Sequence, residues 1–183
     1  AYNEVHHIYE NLLSIDDVLK RHSIELIVVD DGSSDDTFSE CKRASKARHN
    51  INPIQLKSNA GKGASLLRGF TEAHGEIIVF FDSDLEIDPQ YIVKLLAVLK
   101  EKDADVVAGV KDPIANRFPA PRRLMSAVYR NTVRFLFDLN ISDTQTGIKI
   151  FKREVLENAI PRISVSRFAF DLELLVAASR FGY

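Results

Sequence analysis

Val79-Phe80-Phe81-Asp82-Ser83-Asp84 decides how this chain is read, because an apolar run stops there on two carboxylates separated by one residue. A run this apolar suits a strand buried on both faces. Unpaired aspartate is costly in such a core. Both carboxylates are therefore expected just past the strand's carboxyl end, where ligands bind in open α/β sheets. Alternation along the chain would turn Asp82 and Asp84 to one side. Two adjacent hard oxygen ligands suit Mg²⁺ or Mn²⁺, which can also hold the phosphates of a nucleotide. Solvated aspartates in an ordinary strand-end turn have the same spelling, so the surroundings must decide.

Working outward, helical and strand patterns alternate. Helical periodicity runs from Val5 to Arg21, with Ile8, Leu12, Leu13, Ile15, Val18 and Leu19 on one face. Ile24–Val29 reads as a buried strand ending at Asp30-Asp31-Gly32-Ser33, and Ser34, Asp35 and Asp36 offer caps for a helix over 37–48. Ile54-Gln55-Leu56 is a short strand, and Asn59-Ala60-Gly61-Lys62-Gly63 turns into a helix over 63–74 closed by His74-Gly75. Glu76–Phe81 is the next strand, Pro89 starts a helix over 91–100, and Asp105–Gly109 is another strand. This order predicts an α/β fold with a mostly parallel, twisted, doubly wound sheet flanked by helices. Residues 111–121 read as a proline-bearing loop, 122–139 as a long helix, 147–153 as a further strand and 169–181 as a final helix.

The bulk properties exclude several classes. A length of 183 residues suits one domain with a sizeable core. A formal net charge of −2 lacks the basic footprint of a nucleic-acid binder. One cysteine, Cys41, excludes an internal disulfide framework and a cysteine-rich zinc site, and its polar helical surroundings make it look incidental. No stretch approaches the roughly 18–20 apolar residues of a membrane span. The opening Ala1-Tyr2-Asn3-Glu4 reads as a strand-to-helix turn without its strand, so the domain is expected to be cut at both ends.

Four polar clusters fall at strand ends or turns: Tyr2-Asn3-Glu4, Asp30–Ser33, Asn59–Gly63 and Asp82–Glu86. In a parallel sheet all four open onto one edge. Asp30-Asp31-Gly-Ser could hydrogen-bond a ribose or base, or simply cap a helix. Gly61-Lys62-Gly63 can bring amides and an ammonium to phosphate, but it lacks the upstream glycine and the Ser or Thr of a Walker motif. An EF-hand would want glycine where Ile87 stands. A haloacid-dehalogenase phosphatase would want Thr or Val where Glu86 stands. The five histidines do not cluster.

Ala1–Glu4, Val28–Thr37, Asn59–Ala64 and Phe81–Leu85 together resemble the inverting GT-A-fold glycosyltransferases. Asp143–Lys149 and Phe168–Leu175 narrow the resemblance to polyprenyl-phosphate and dolichyl-phosphate glycosyltransferases, over essentially the whole chain. The resemblance implies a GT-A, Rossmann-like catalytic domain over 1–183. Its donor would be a UDP- or GDP-linked sugar, its acceptor an isoprenoid lipid phosphate, and its cofactor Mg²⁺ or Mn²⁺. Tyr2, Glu4, the Val29 backbone and Asp31 would hold the nucleoside, with Asn3, Lys62, Ser83 and Lys111 completing the donor set. Asp82, Asp84 and Glu86 would hold the metal, Asp143 and Asp171 would grip sugar hydroxyls or serve as base if the acceptor is an alcohol, and Gln145 would hydrogen-bond sugar or loop. Gly109-Val110-Lys111 departs from the Gly-Ser-Arg usual in relatives.

Arg117, Arg122, Arg123, Arg130 and Arg134 lie among apolar residues in a stretch without acids, suiting an anionic membrane surface. The first four are candidates to grip the acceptor phosphate. The expected location is the cytoplasmic face of a bacterial or archaeal plasma membrane or of the endoplasmic reticulum, peripherally or through segments outside this fragment. The alternatives are transfer to a saccharide or protein acceptor, and a catalytically silent nucleotide-sugar-binding or membrane-scaffold domain.

Overall fold

β3, Ile77–Phe81, stops where expected, and Asp82–Asp84 form the turn that follows it. The alternation argument therefore does not extend to the two carboxylates, although both lie just beyond the strand. The computed structural model describes residues 1–110, 146–164 and 169–183. The expected loop 111–121 and helix 122–139 lie outside the described residues.

The elements run α1 Ile8–Leu19, β1 Leu26–Asp30, α2 Thr37–Ala47, β2 Ile51–Gln55, α3 Lys62–Glu72, β3, α4 Gln90–Glu101 and β4 Val106–Ala108. After the undescribed stretch come β5 Ile148–Lys152, α5 Arg153–Ala159, a short 3₁₀ turn Ile160–Arg162, and α6 Phe170–Arg180. The second strand starts three residues earlier than the pattern suggested, because Ile51 is the buried residue that locks it to the core. Its Pro53 lacks an N–H, which an edge position tolerates. α5 has no counterpart in the sequence reading.

β1 and β2 pair in parallel, as expected. β5, to which the sequence assigned no direction, lies between β3 and β4 and runs antiparallel to both, so β3 and β4 share one direction as the predicted order requires. Apolar spacing encodes which face a strand buries and carries no information about its direction.

Helices cover both faces. Val28 packs with Ile8, Leu12, Cys41, Ala44 and Ile51 on the α1/α2 side, while Val79 and Phe81 pack with Ile15, Leu19, Ile92 and Ile148 on the α1/α4 side. Ile78 and Phe80 face the other way, onto Phe151, Phe170, Leu174 and α3's Leu66 and Phe70. Gly69 of α3 lets that helix approach β1, for a Cβ there would sit 3.4 Å from Val29 Cγ2. Between β1 and β3 runs a cavity of about 480 Å³ lined by residues of both strands. No hydrogen-bonded ladder joins those two strands among the described residues. Ile77 is exposed and Val79 and Phe81 are half-buried, short of the two-sided burial expected of β3.

Cys41 is a core residue and not an incidental one: it is fully buried, and burial pushes its thiol up to about 12. The thiolate is the reactive form. Alkylating and disulfide reagents at mildly alkaline pH are therefore expected to leave Cys41 untouched in folded protein and to label it fully in guanidinium. Rapid labelling of folded protein would contradict the packing of α2 on α1.

Candidate active site

Three of the four polar clusters are held together by hydrogen bonds around the N-terminal turn. Asn3 takes a left-handed backbone (φ 53°) that lets its N–H donate to Ser33 Oγ at 2.9 Å while its Oδ1 accepts from Ser34 N–H at 3.0 Å. Glu4 reaches across to the β3 turn, where both its carboxylate oxygens accept from Ser83 Oγ at 3.0 and 2.9 Å. Asn11 of α1 adds a bond to the Ser83 carbonyl at 2.8 Å. Ser83 thus anchors the turn between the two aspartates.

Asp31 ties in the remaining cluster. It is 5% exposed, and its two oxygens accept the amides of Ala60 and Gly61 at 2.8 and 2.9 Å. The geometry makes Asp31 the anchor of the Gly61-Lys62-Gly63 turn, a role the nucleoside reading did not anticipate. Asp30 is equally internal, accepting from Ser33 and from Gln55 Nε2. The Val29 carbonyl accepts from the Ala1 nitrogen at 2.9 Å.

Gly61 (φ 96°) precedes α3, and Lys62 at its start places Nζ 2.6 Å from Asp82 Oδ1 and 3.9 Å from Asp171 Oδ2. Asp171, at the start of α6, gives its other oxygen to Lys149 Nζ at 2.9 Å. Lys149 Nζ also donates to the Thr146 carbonyl at 2.7 Å. Two acids and two bases therefore alternate from the surface inward: Asp82, Lys62, Asp171, Lys149.

Magnitudes separate the two pairs. Lys62 and Asp82 are about two-fifths exposed, so their pair contributes about 0.2–1 kcal/mol. Lys149 is 1% exposed, and removing one partner from such a buried pair costs about 3–5 kcal/mol. Burial pulls the Lys149 ammonium below the ordinary lysine range, against the opposing pull of Asp171. Lys149 went unnoticed in the sequence because Ile148-Lys149-Ile150-Phe151 looks like a strand with one polar face.

Gly147 backs Asp82. Its carbonyl accepts the Asp82 N–H at 2.9 Å, and a Cβ on it would collide with Asp82 Oδ2. Asp84 and Glu86 are exposed, and Asp84 Oδ1 accepts the Glu86 N–H at 3.0 Å. Tyr2, Glu4, Asp31, Lys62, Asp82, Ser83 and Asp84 all border the cavity, so one rim gathers them as the sequence required. Lys111, Arg117, Arg122, Arg123, Arg130, Asp143 and Gln145 lie outside the described residues.

No three Asp, Glu, His or Cys side chains converge as a metal cage among the described residues. Asp82 and Asp84 instead suit an ion that takes one or two carboxylates from protein and its other ligands from phosphate and water. Asp82 already holds a cation, the Lys62 ammonium.

This fold, with its rim of polar turns at the strand ends, defines a GT-A-type α/β protein. The sequence profile of glycosyl transferase family 2 matches residues 1–159, and the chain belongs to that family. Glycosyltransferase AglD of Haloferax volcanii is 30% identical over 191 aligned positions, covering 100% of this chain and 30% of that protein. The dolichyl-phosphate beta-glucosyltransferase of Homo sapiens is 33% identical over 171 positions, covering 86% of this chain and 52% of that one. Glucosyl-3-phosphoglycerate synthase from Mycobacterium tuberculosis, solved with Mn²⁺, UDP and phosphoglyceric acid, shares the fold with a TM-score of 0.76. It is 23% identical, over 100% of this chain and 63% of that one. The chain thus spans about a third to a half of these two curated relatives' length.

Gly147→Ala is expected to unfold at lower urea concentration than the parent, because the new methyl collides with Asp82. Gly69→Ala, in contact range only and inside a helix, should gain about 0.5–1 kcal/mol. Equal tolerance of both in urea denaturation would contradict the close approach at Gly147.

Proposed function

We propose that this chain transfers a sugar, with inversion at the anomeric carbon, from a UDP- or GDP-sugar to a polyprenyl phosphate such as dolichyl or undecaprenyl phosphate. The observation that carries the reading is the gathering of Glu4, Asp31, Lys62, Asp82, Ser83 and Asp84 at one cavity mouth, in a chain of glycosyl transferase family 2. Relatives that are dolichyl-phosphate beta-glucosyltransferases suggest the acceptor class, dolichyl phosphate.

Lys62 and the amides after Gly61 would meet the diphosphate, with Asp31 holding that turn in place. Tyr2, Asn3 and Glu4 would border the nucleoside. Asp82 and Asp84, with Glu86 beside them, would hold Mg²⁺ or Mn²⁺, which when bound supplies positive charge to the leaving diphosphate.

In the reaction an acceptor phosphate oxygen bonds to the anomeric carbon as the carbon's bond to the diphosphate oxygen breaks. The products are a glycosyl phospholipid and a nucleoside diphosphate. Phosphate monoesters are already ionised at neutral pH, their second pKa being about 6, so the nucleophile needs no strong base. Asp171 is engaged by two ammonium groups, which suits it to positioning; Asp143 and Gln145 remain the candidates for gripping sugar. Arg117, Arg122, Arg123 and Arg130 would take the acceptor phosphate. Among the described residues no helix is long and apolar enough to cross a membrane. A lipid acceptor would put the reaction at a membrane surface, and the reading extends to its cytoplasmic face.

UDP or GDP with Mn²⁺ is expected to raise the melting temperature of the chain, and Asp84→Ala should abolish the metal-dependent part. No shift with either nucleotide, in folded protein, would overturn the reading. With a labelled nucleotide-sugar, a short isoprenyl phosphate should become labelled; transfer only to glycan would contradict the acceptor.

A further inference from the structure

Lys149 is among the largest fully buried side chains of the described residues, and it stands in the central strand of a three-stranded sheet. It shares a face of β5 with Phe151, which packs under α5 and α6. An ammonium at that depth needs a carboxylate, and Asp171 supplies it at 2.9 Å. The pair leaves Asp171 one oxygen, and that oxygen faces Lys62. Lys62 is the member shared between two acids: its side chain is 42% exposed, and its Nζ lies within reach of both Asp82 and Asp171.

A divalent cation arriving at Asp82 meets an oxygen already held by Lys62. Two cations cannot share it without repulsion, so Lys62 must yield, and Asp171 is the only other carboxylate it is paired with among the described residues. How readily Lys62 yields depends on how much of Asp171's charge Lys149 has already taken.

We propose that Lys149 is a positioning residue that sets the cation affinity of Asp82 by fixing, through Asp171, how strongly Lys62 is drawn off Asp82. The inference rests on the proposed function, since it assigns Asp82 to a metal. Lys62 is then a resident counter-ion, exchanged for the divalent cation. Weakening its hold on Asp82 tightens metal binding, and strengthening it does the reverse.

The test is Mn²⁺ affinity measured by electron paramagnetic resonance on the whole chain without nucleotide, a readout independent of turnover. Lys62→Met removes the competitor and should bind Mn²⁺ about two- to five-fold more tightly, the range an exposed ion pair allows. Lys149→Met matches the lysine in length and leaves Asp171 to recruit Lys62, so it should also tighten Mn²⁺. Asp171→Asn leaves Lys62 only Asp82 and should weaken it.

The decisive arm is the double variant. In the Lys62→Met background, Lys149→Met should change Mn²⁺ affinity no further. An equal gain in both backgrounds would mean that Lys149 acts only through its general field, and would overturn the proposal. Unchanged or weaker binding in Lys62→Met would overturn it as well. If either single variant fails to fold, the paired variant Lys149→Met with Asp171→Asn leaves no buried charge unpaired; Lys62 then has only Asp82, so Mn²⁺ should bind more weakly than in the parent, and equal or tighter binding would overturn the proposal. A parent chain that binds no Mn²⁺, with or without nucleotide, defeats the proposed function itself. A parent that binds while the variants show none of these shifts defeats only the role of Lys149.

Discussion

The burial of the β3 end, which brings Asp82 out against Gly147 and opposite Lys62, is the constraint on which the rest of the site converges. An apolar strand hands the chain to a charged turn there, and Asp82 sits against the backbone of Gly147. Lys62 is delivered by the start of α3, whose preceding turn is held by Asp31 at the end of β1. The Ser83 between the carboxylates is held by Glu4 from the start of the chain. Each neighbouring turn thus contributes one hydrogen bond or ion pair to the same few ångströms of strand end, and the cavity opens where they meet.

The same arrangement separates rigid from exchangeable parts. Buried contacts (Asp31 to its amides, Lys149 to Asp171 and the Thr146 carbonyl, Asp82 N–H to Gly147) are costly to break. The half-exposed Lys62–Asp82 pair is cheap to rearrange. A ligand that carries both a cation and phosphates can take over both members of that pair without disturbing the frame beneath. Such a division fits a site that must bind a charged donor and later release a charged product.

Much of this was legible in the sequence, for identifiable reasons. Apolar runs of β3 and β1 ending on acids placed both strand ends, and the Gly61-Lys62-Gly63 turn placed the start of α3 to within a residue. The gathering of Tyr2, Glu4, Asp31, Lys62, Asp82 and Asp84 followed from strand order alone. Three things were hidden. The antiparallel course of β5 leaves no mark on residue spacing. The burial of Lys149 depends on Asp171, a partner in a distant helix, so its run reads as a half-solvated strand. The anchoring role of Asp31 looks in sequence like a ligand contact, because a carboxylate that binds amides is spelled the same as one that binds a nucleoside.

The most direct measurement is paramagnetic broadening of backbone amide signals by Mn²⁺ added with UDP or GDP to the labelled chain. The account predicts broadening centred on Asp82–Asp84 and spreading to Gly61, Lys62 and Gly147. Broadening centred on another acidic pair, such as Asp16-Asp17 or Asp103 with Asp105, while Asp82–Asp84 stay sharp, would contradict it.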